Sequence, residues 1–326
     1  MRLLITGGAG FIGSQLLRYL VITYPEYRMV CADALTYASD YTLIADLESY
    51  SNYSFEKVDI TDKNSVDELF AKHRFTHVIH LAAESHVDNS IKDPLAFAKT
   101  NVLGTLNLLE GVRANLKDQA CLFYHISTDE VFGSLGKGGS FSEKSAYAPR
   151  SPYSASKASS DHFVRAYGET YGLSYIISNC SNNYGPGQHR EKLIPTVIAS
   201  VISGNSIPIY GTGDNVRDWL YVEDHVEAID MILHKGQVGE TYCIGGDSEL
   251  SNLGLVHMLV DEIDHQLGNA LGTSRGLISF VEDRKGHDFR YSINHSKLTK
   301  ELGWKPTTSL ENGLATTVSW YLNRLK

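Results

Sequence analysis

The chain has 326 residues, more than one small core requires, so one large domain or two unequal ones are expected. Apolar content of 42% and charged content of 21% are those of a soluble globular protein, and a formal net charge of −9 counts against a nucleic-acid or anionic-membrane surface. No apolar run reaches the ~18 residues of a membrane span, and Gly7, Gly8, Gly10 and Gly13 interrupt the stretch that could pass for a signal peptide, so a cytoplasmic protein is expected.

Residues 2–6 read as a short buried strand, and the glycines after it lead into an apolar helical pattern through Leu16, Leu17 and Leu20. Gly8, Gly10 and Gly13 fit G-x-G-x-x-G, while Gly7, Gly10 and Gly13 fit the variant with one further residue between the first two. Such a loop rests a pyrophosphate on the amides of a helix amino terminus. A second strand over 28–32 delivers Asp33, placed as a carboxylate that accepts hydrogen bonds from an adenosine ribose. No arginine follows closely to neutralise a 2′-phosphate, so NAD is favoured over NADP.

A third strand over 53–57 ends near Asp59 and Ile60, and a helix capped by Thr61 or Asp62 runs through Val66, Leu69 and Phe70. A fourth strand, 76–81, ends in Ala82 and Ala83, whose small side chains suit the nicotinamide side of a cofactor; His86 and Asp88 read as solvated loop residues. Pro94 opens a long helix to about Ala114, with Thr100 and Asn101 exposed unless a buried cofactor recruits them. The strand 121–127 delivers Thr128, Asp129 and Glu130 at its carboxyl end, where ligands bind in open parallel sheets. Tyr153 and Lys157, four apart, share one face of the next helix.

Strand and helix have alternated throughout, which predicts a doubly wound parallel α/β sheet of right-handed βαβ units. After a strand at 174–178 the alternation loosens. The expected division is a dinucleotide-binding domain over 1–180, joined again by segments around 217–246, and a smaller mixed α/β lobe over 181–326. Thr308 to Glu311 fits a capping box for the last helix. The four cysteines and thirteen histidines show neither CxxC nor HExxH spacing, so buried reduced thiols and no metal site are expected.

Taken together, these residues resemble the extended short-chain dehydrogenase/reductase superfamily and, within it, the dTDP-glucose 4,6-dehydratase family. The glycine loop with Tyr153 and Lys157 marks the superfamily; Thr128-Asp129-Glu130 marks the family, because related epimerases lack the paired acids. Further matches are Asp33 to Ala38, Ala82 to Asp88, Asn182 to Pro186, Glu191 to Pro195, Arg217 to His225, Asp283 to His287 and Glu301 to Trp304. Departures stand at Asn89, where the family has arginine, at Phe132 (tyrosine), at Lys285 (proline) and over Gly187–Arg190.

The resemblance implies an internal redox on bound NAD for deoxysugar biosynthesis, such as that of rhamnose or O-antigen, in a Rossmann-fold homodimer pairing helices 94–114 and 153–171. A nucleoside-diphosphate hexose is oxidised at C4, loses water across C5 and C6, and is reduced at C6. Tyr153 is the implied base, helped by Lys157 and Thr128, with Glu130 as the C5 base and Asp129 as the acid at C6. For both carboxyls to face one sugar the backbone must turn between 129 and 130. The implied cofactor residues are Gly7, Gly10, Phe11, Ile12, Gly13, Asp33, Leu35, Thr36, Asp59, Ile60, Leu81, Ala82, Ala83, Ser85, Thr100, Tyr153, Lys157 and Asn183. Those for substrate are Ser85, Thr128, Asn182, Lys192, Leu193, Pro208, Tyr210, Arg217, Asn252, Arg284 and His287. A UDP-sugar 4,6-dehydratase, a C4 epimerase and a non-catalytic NAD-binding protein are the competing readings.

Overall fold

The computed structural model describes residues 1–115 and 120–325. Buried apolar runs alternate with helical stripes through the first half: β1 (Arg2–Thr6), α1 (Phe11–Thr23), β2 (Arg28–Asp33), β3 (Tyr53–Lys57), α2 (Lys63–Lys72) and β4 (His77–His80). Short helices α3 (Val87–Lys92) and α4 (Pro94–Phe97) lead through a π-helical segment, Ala98–Gly104, into α5 (Thr105–Asn115). Then come β5 (Leu122–Thr128), α6 (Pro152–Tyr171) and β6 (Ser174–Cys180). The second half holds β7 (Asn182–Tyr184), α7 (Leu193–Ser203), β8 (Ile207–Tyr210), β9 (Val216–Tyr221), α8 (Val222–Lys235) and β10 (Thr241–Ile244). It closes with β11 (Glu249–Ser251), α9 (Asn252–Leu267), β12 (Ile278–Val281), α10 (Ser296–Leu302) and α11 (Leu310–Leu325).

Seven strands form one parallel sheet in the order β10-β6-β5-β4-β1-β2-β3, a doubly wound Rossmann arrangement. One face is covered by α1 and α8, whose Leu16, Leu17, Leu20, Ile229 and Ile232 join Leu3, Ile5 and Ile79 in a single core. Each such buried aliphatic contributes about 2 kcal/mol. The other face packs Leu4, Val78 and Phe123 against Val66, Leu69, Leu108 and Val164 of α2, α5 and α6. The order in which strands are added reverses between β1 and β4, so a crevice opens beyond their carboxyl ends.

A separate core lies among α7, α9 and α11, where Ile194, Val197, Leu255, Leu259, Leu314 and Val318 meet Tyr184, Trp219 and Tyr221. Two small sheets border it, β11-β9-β7 and β12-β8. Of the segments around 217–246, β10 pairs with β6 in the large sheet and α8 packs on its face, whereas β9 pairs with β7 and β11. The last helix starts one residue later than the capping-box reading. The Ser309 hydroxyl accepts from the Asn312 amide, because Asp224 has drawn the Thr307 and Thr308 amides to its own carboxylate. All four cysteines are buried free thiols.

Candidate active site

The glycine turn is set by close approach. Gly7 has φ +73°, and a Cβ there would stand 2.7 Å from the Ala82 amide nitrogen, so the turns after β1 and β4 touch only because the side chain is missing. A Cβ on Gly13 would collide with the Gly7 carbonyl. Gly10 caps α1 with no side chain, leaving the first-turn amides open toward the crevice. Asp33 ties the turn to β2: one carboxylate oxygen accepts from the Ala9 amide (3.0 Å), the other from the Leu35 amide and the Ser39 hydroxyl (both 2.8 Å).

These features line one cleft of about 360 Å³, with Gly7, Gly10, Phe11, Ile12, Gly13, Asp33, Thr36, Asp59, Ile60, Leu81, Ala82, Ala83, Ser85 and Thr100 along its walls. A bare helix amino terminus, a side-chain-free turn and a strand-end carboxylate suit a dinucleotide. Leu35 is not among the lining residues: it adopts φ +54° and packs against the core beside α1. Asn183 lines the cleft, its side-chain oxygen bonded to the His225 ring (2.8 Å).

Beyond β5 the cleft continues past Thr128, Asp129, Glu130, Tyr153, Lys157, Asn182 and Lys192. Residues Asp129–Phe132 form a 3-10 turn capped by Thr128, whose hydroxyl accepts from the Glu130 amide (3.3 Å). That turn is the bend needed between 129 and 130. Asp129 is buried and its Oδ2 has no hydrogen-bond partner among the described residues. Burial pushes its carboxyl well above the usual carboxylate range, and the negative charge of Glu130 pushes the same way. Burial raises Glu130 too, while Arg217, Lys192 and Arg284 pull it down.

Helix α6 is started by a Ser151–Ser154 capping box and presents Tyr153 and Lys157 on one face. Burial and the charge of Glu130 raise the Tyr153 phenol well above its ordinary value. The Lys157 ammonium donates to the Ile126 carbonyl (2.8 Å); burial lowers it and Asp161 opposes that loss. Sequence motifs overlook Asp161, although it lies one further turn along the same face. It is fully buried, accepting from Ser127 (2.9 Å) and Tyr147 (2.7 Å), with His125 at 3.2 Å.

Asn101, expected to be exposed unless a buried cofactor recruits it, is buried at the π-helical segment. Its side chain clasps the Glu84 amide (2.8 Å) and carbonyl (2.9 Å) and donates to Ser156 (2.8 Å), fixing the turn after β4 to α6. No motif flags it, since a buried helical Asn looks like an exposed one in sequence.

Of the residues expected for substrate, Ser85, Thr128, Asn182 and Lys192 line the cleft, whereas Leu193, Pro208, Tyr210, Arg217, Asn252, Arg284 and His287 are not among its lining residues. Lys192 donates to the Ser85 carbonyl (2.9 Å). Arg217 is buried over the Tyr291 ring (4.4 Å) and donates to the carbonyls of Val216 and Asp288. His287 pairs with Asp283 (2.7 Å) and meets the Tyr210 ring edge-on. Asn252 opens α9, Leu193 opens α7 against the lobe core, and Pro208 lies exposed on β8. Asp88 is half-buried and paired with Arg284, contrary to its reading as a solvated residue.

The family model described as GDP-mannose 4,6 dehydratase matches residues 4–317. The dTDP-glucose 4,6-dehydratase of Shigella flexneri is 48% identical over 99% of this chain and 93% of its own. The structure of the dTDP-glucose 4,6-dehydratase DesIV from Streptomyces venezuelae, solved with NAD and TYD bound, superposes with a TM-score of 0.92 at 42% identity, covering 99% of this chain and 97% of that one. A UDP-glucose 4-epimerase from Thermotoga maritima, solved with UDP-glucose, reaches a TM-score of 0.87 at 29% identity, covering 100% of both chains.

Proposed function

Because this chain belongs to the dTDP-glucose 4,6-dehydratase family of the extended short-chain dehydrogenases/reductases, we propose that it converts dTDP-glucose to the 4-keto-6-deoxy sugar for deoxysugar biosynthesis. The observation that carries this reading is the turn at the end of β5, which sets a buried carboxyl, Asp129, next to a second one, Glu130, at the inner end of a dinucleotide cleft. An epimerase has no use for that pair.

Gly7, Gly10, Gly13 and Asp33 would hold NAD, which when bound would supply the hydride chemistry that oxidises the sugar at C4 and reduces it at C6. Tyr153 takes the proton of the C4 hydroxyl, and Thr128 holds the same oxygen. Burial alone works against a Tyr153 phenolate; the positive charges of Lys157 and of the oxidised nicotinamide stabilise it. The C4 ketone acidifies the C5 proton, since its removal leaves an enolate, and Glu130 removes it. Asp129, kept protonated by its surroundings, donates to the departing C6 hydroxyl, which leaves as water. The proton taken by Tyr153 balances the one that leaves with that water, and Glu130 returns its proton to C5.

Arg217, Arg284 and Lys192 take the diphosphate, with Asn182, Leu193, Asn252, Ser85 and His287 around it and Pro208 and Tyr210 beside the base. Residues 1–180, with α8 and β10, form the NAD-binding domain, and the rest of 181–326, β9 included, holds the nucleotide sugar. The chain works as a cytoplasmic homodimer: Leu95, Leu103 and Phe163 leave apolar side chains exposed on the helices that pair. No helix of the described residues is long and apolar enough to cross a membrane. Incubation with dTDP-, UDP-, GDP- and CDP-glucose tests the reaction. Loss of one water from the dTDP sugar is expected, and C4 epimers without water loss would replace this reading with the epimerase one.

A further inference from the structure

Arg284 belongs to a loop of the smaller lobe, yet its partner comes from the large domain. Asp88, on α3, meets it side-on: Oδ1 lies 2.6 Å from Nε, and Oδ2 accepts from Nη2 at 2.9 Å. The same Oδ2 accepts from the Tyr210 hydroxyl at 3.2 Å, and the guanidinium sits 5.2 Å from the Tyr210 ring centroid. One carboxylate thus fixes two groups of the smaller lobe across 196 positions of sequence for Arg284 and 122 for Tyr210.

The geometry decides what this pairing does. A guanidinium has five N–H donors. The side-on contact donates one Nη2–H to Oδ2 and sets Nε against Oδ1 as an ion pair, which leaves both Nη1 hydrogens and the second Nη2–H as an end-on fork of the kind that binds phosphate oxygens. A carboxylate gripping that end-on edge would instead compete with phosphate. Ordering a flexible arginine before the ligand arrives removes part of the cost of binding.

We infer that Asp88 is a positioning residue for the nucleoside diphosphate: it presents the end-on edge of Arg284 to a phosphate and holds Tyr210 beside the base, without touching the reacting carbons. This rests on the assignment of Arg284 to the diphosphate.

The test uses the NAD-loaded enzyme, with Kd for free dTDP by calorimetry and KM and kcat for dTDP-glucose. D88N is expected to raise Kd and KM together by about tenfold, with kcat falling far less than KM rises. In an R284Q background D88N is expected to add less than about twofold, because the two act as one unit. Asp88→Glu, which keeps the charge, is expected to recover most of the affinity, and should D88N fold poorly, Asp88→Ser is expected to show the same split in its place. If R284Q weakens dTDP binding and D88N leaves it unchanged or tightens it, or if the two effects multiply, the inference fails alone. If R284Q has no effect on Kd, the diphosphate assignment fails and takes the inference with it.

Discussion

Asp129 and Glu130 differ by one backbone turn and are asked to do opposite things. Both carboxyls are raised by burial, Asp129 further by the charge of its neighbour. Elimination requires Asp129 protonated and Glu130 ionised. The turnover rate is therefore expected to climb with pH through the Glu130 titration and fall through that of Asp129, a bell read from a kcat profile. Asp129→Asn should still permit C4 oxidation, so reduced-nicotinamide absorbance accumulates while product formation falls by about 10²-fold or more; full turnover by that variant would remove Asp129 from the mechanism. Stability moves the other way. A carboxyl with a raised folded-state pKa contributes its full stability below the unfolded pKa and loses it as pH rises through the folded one. Asp129→Asn is neutral throughout, so it is expected to melt about 2 °C or more above the native enzyme near pH 8, with the gap closing toward pH 4.

At the scale of elements, the glycine turn and α6 do most of the positioning. A Cβ on Gly7 has no room beside Ala82, so Gly7→Ala is expected to lower NAD affinity at least about tenfold, measured by cofactor retained on purification. Ser151→Ala removes one half of the α6 capping box and should cost about 1 kcal/mol in a denaturant melt. The alternation of strand and helix, the glycine spacing, Asp33 and the Tyr153–Lys157 pair were legible because each is a local pattern of the chain. Asn101, Asp161 and Asp88 were not. Their surroundings come from partners 14 to 196 positions away, and burial of a polar side chain by tertiary contacts leaves no periodic trace. The capping box was one residue off because Asp224, 84 positions upstream, claims the Thr308 amide. The departures at Asn89 and Lys285 stand directly beside the two members of the Asp88–Arg284 pair and leave it intact; Asn89 instead donates to Tyr37 (3.3 Å).

Across the whole molecule, residues of the large sheet and of the smaller lobe line one cleft that runs from the glycine turn to Asn182 and Lys192. A similar scaffold supports epimerases, so the fold by itself does not select the reaction. The proposed self-association through α4, the π-helical segment and α6 is expected to be lost in Leu103→Glu, which should sediment as a monomer where the native chain is expected to sediment as a dimer. The central claim is that one sugar is oxidised and reduced in a single visit to the cleft. It is tested most directly with dTDP-glucose carrying deuterium at C4, mixed with unlabelled substrate, and the position of the label read in the product by mass and NMR. The deuterium is expected at C6 of the molecule that brought it. Label lost to solvent, passed to unlabelled molecules, or retained at C4 of an epimer would contradict that claim.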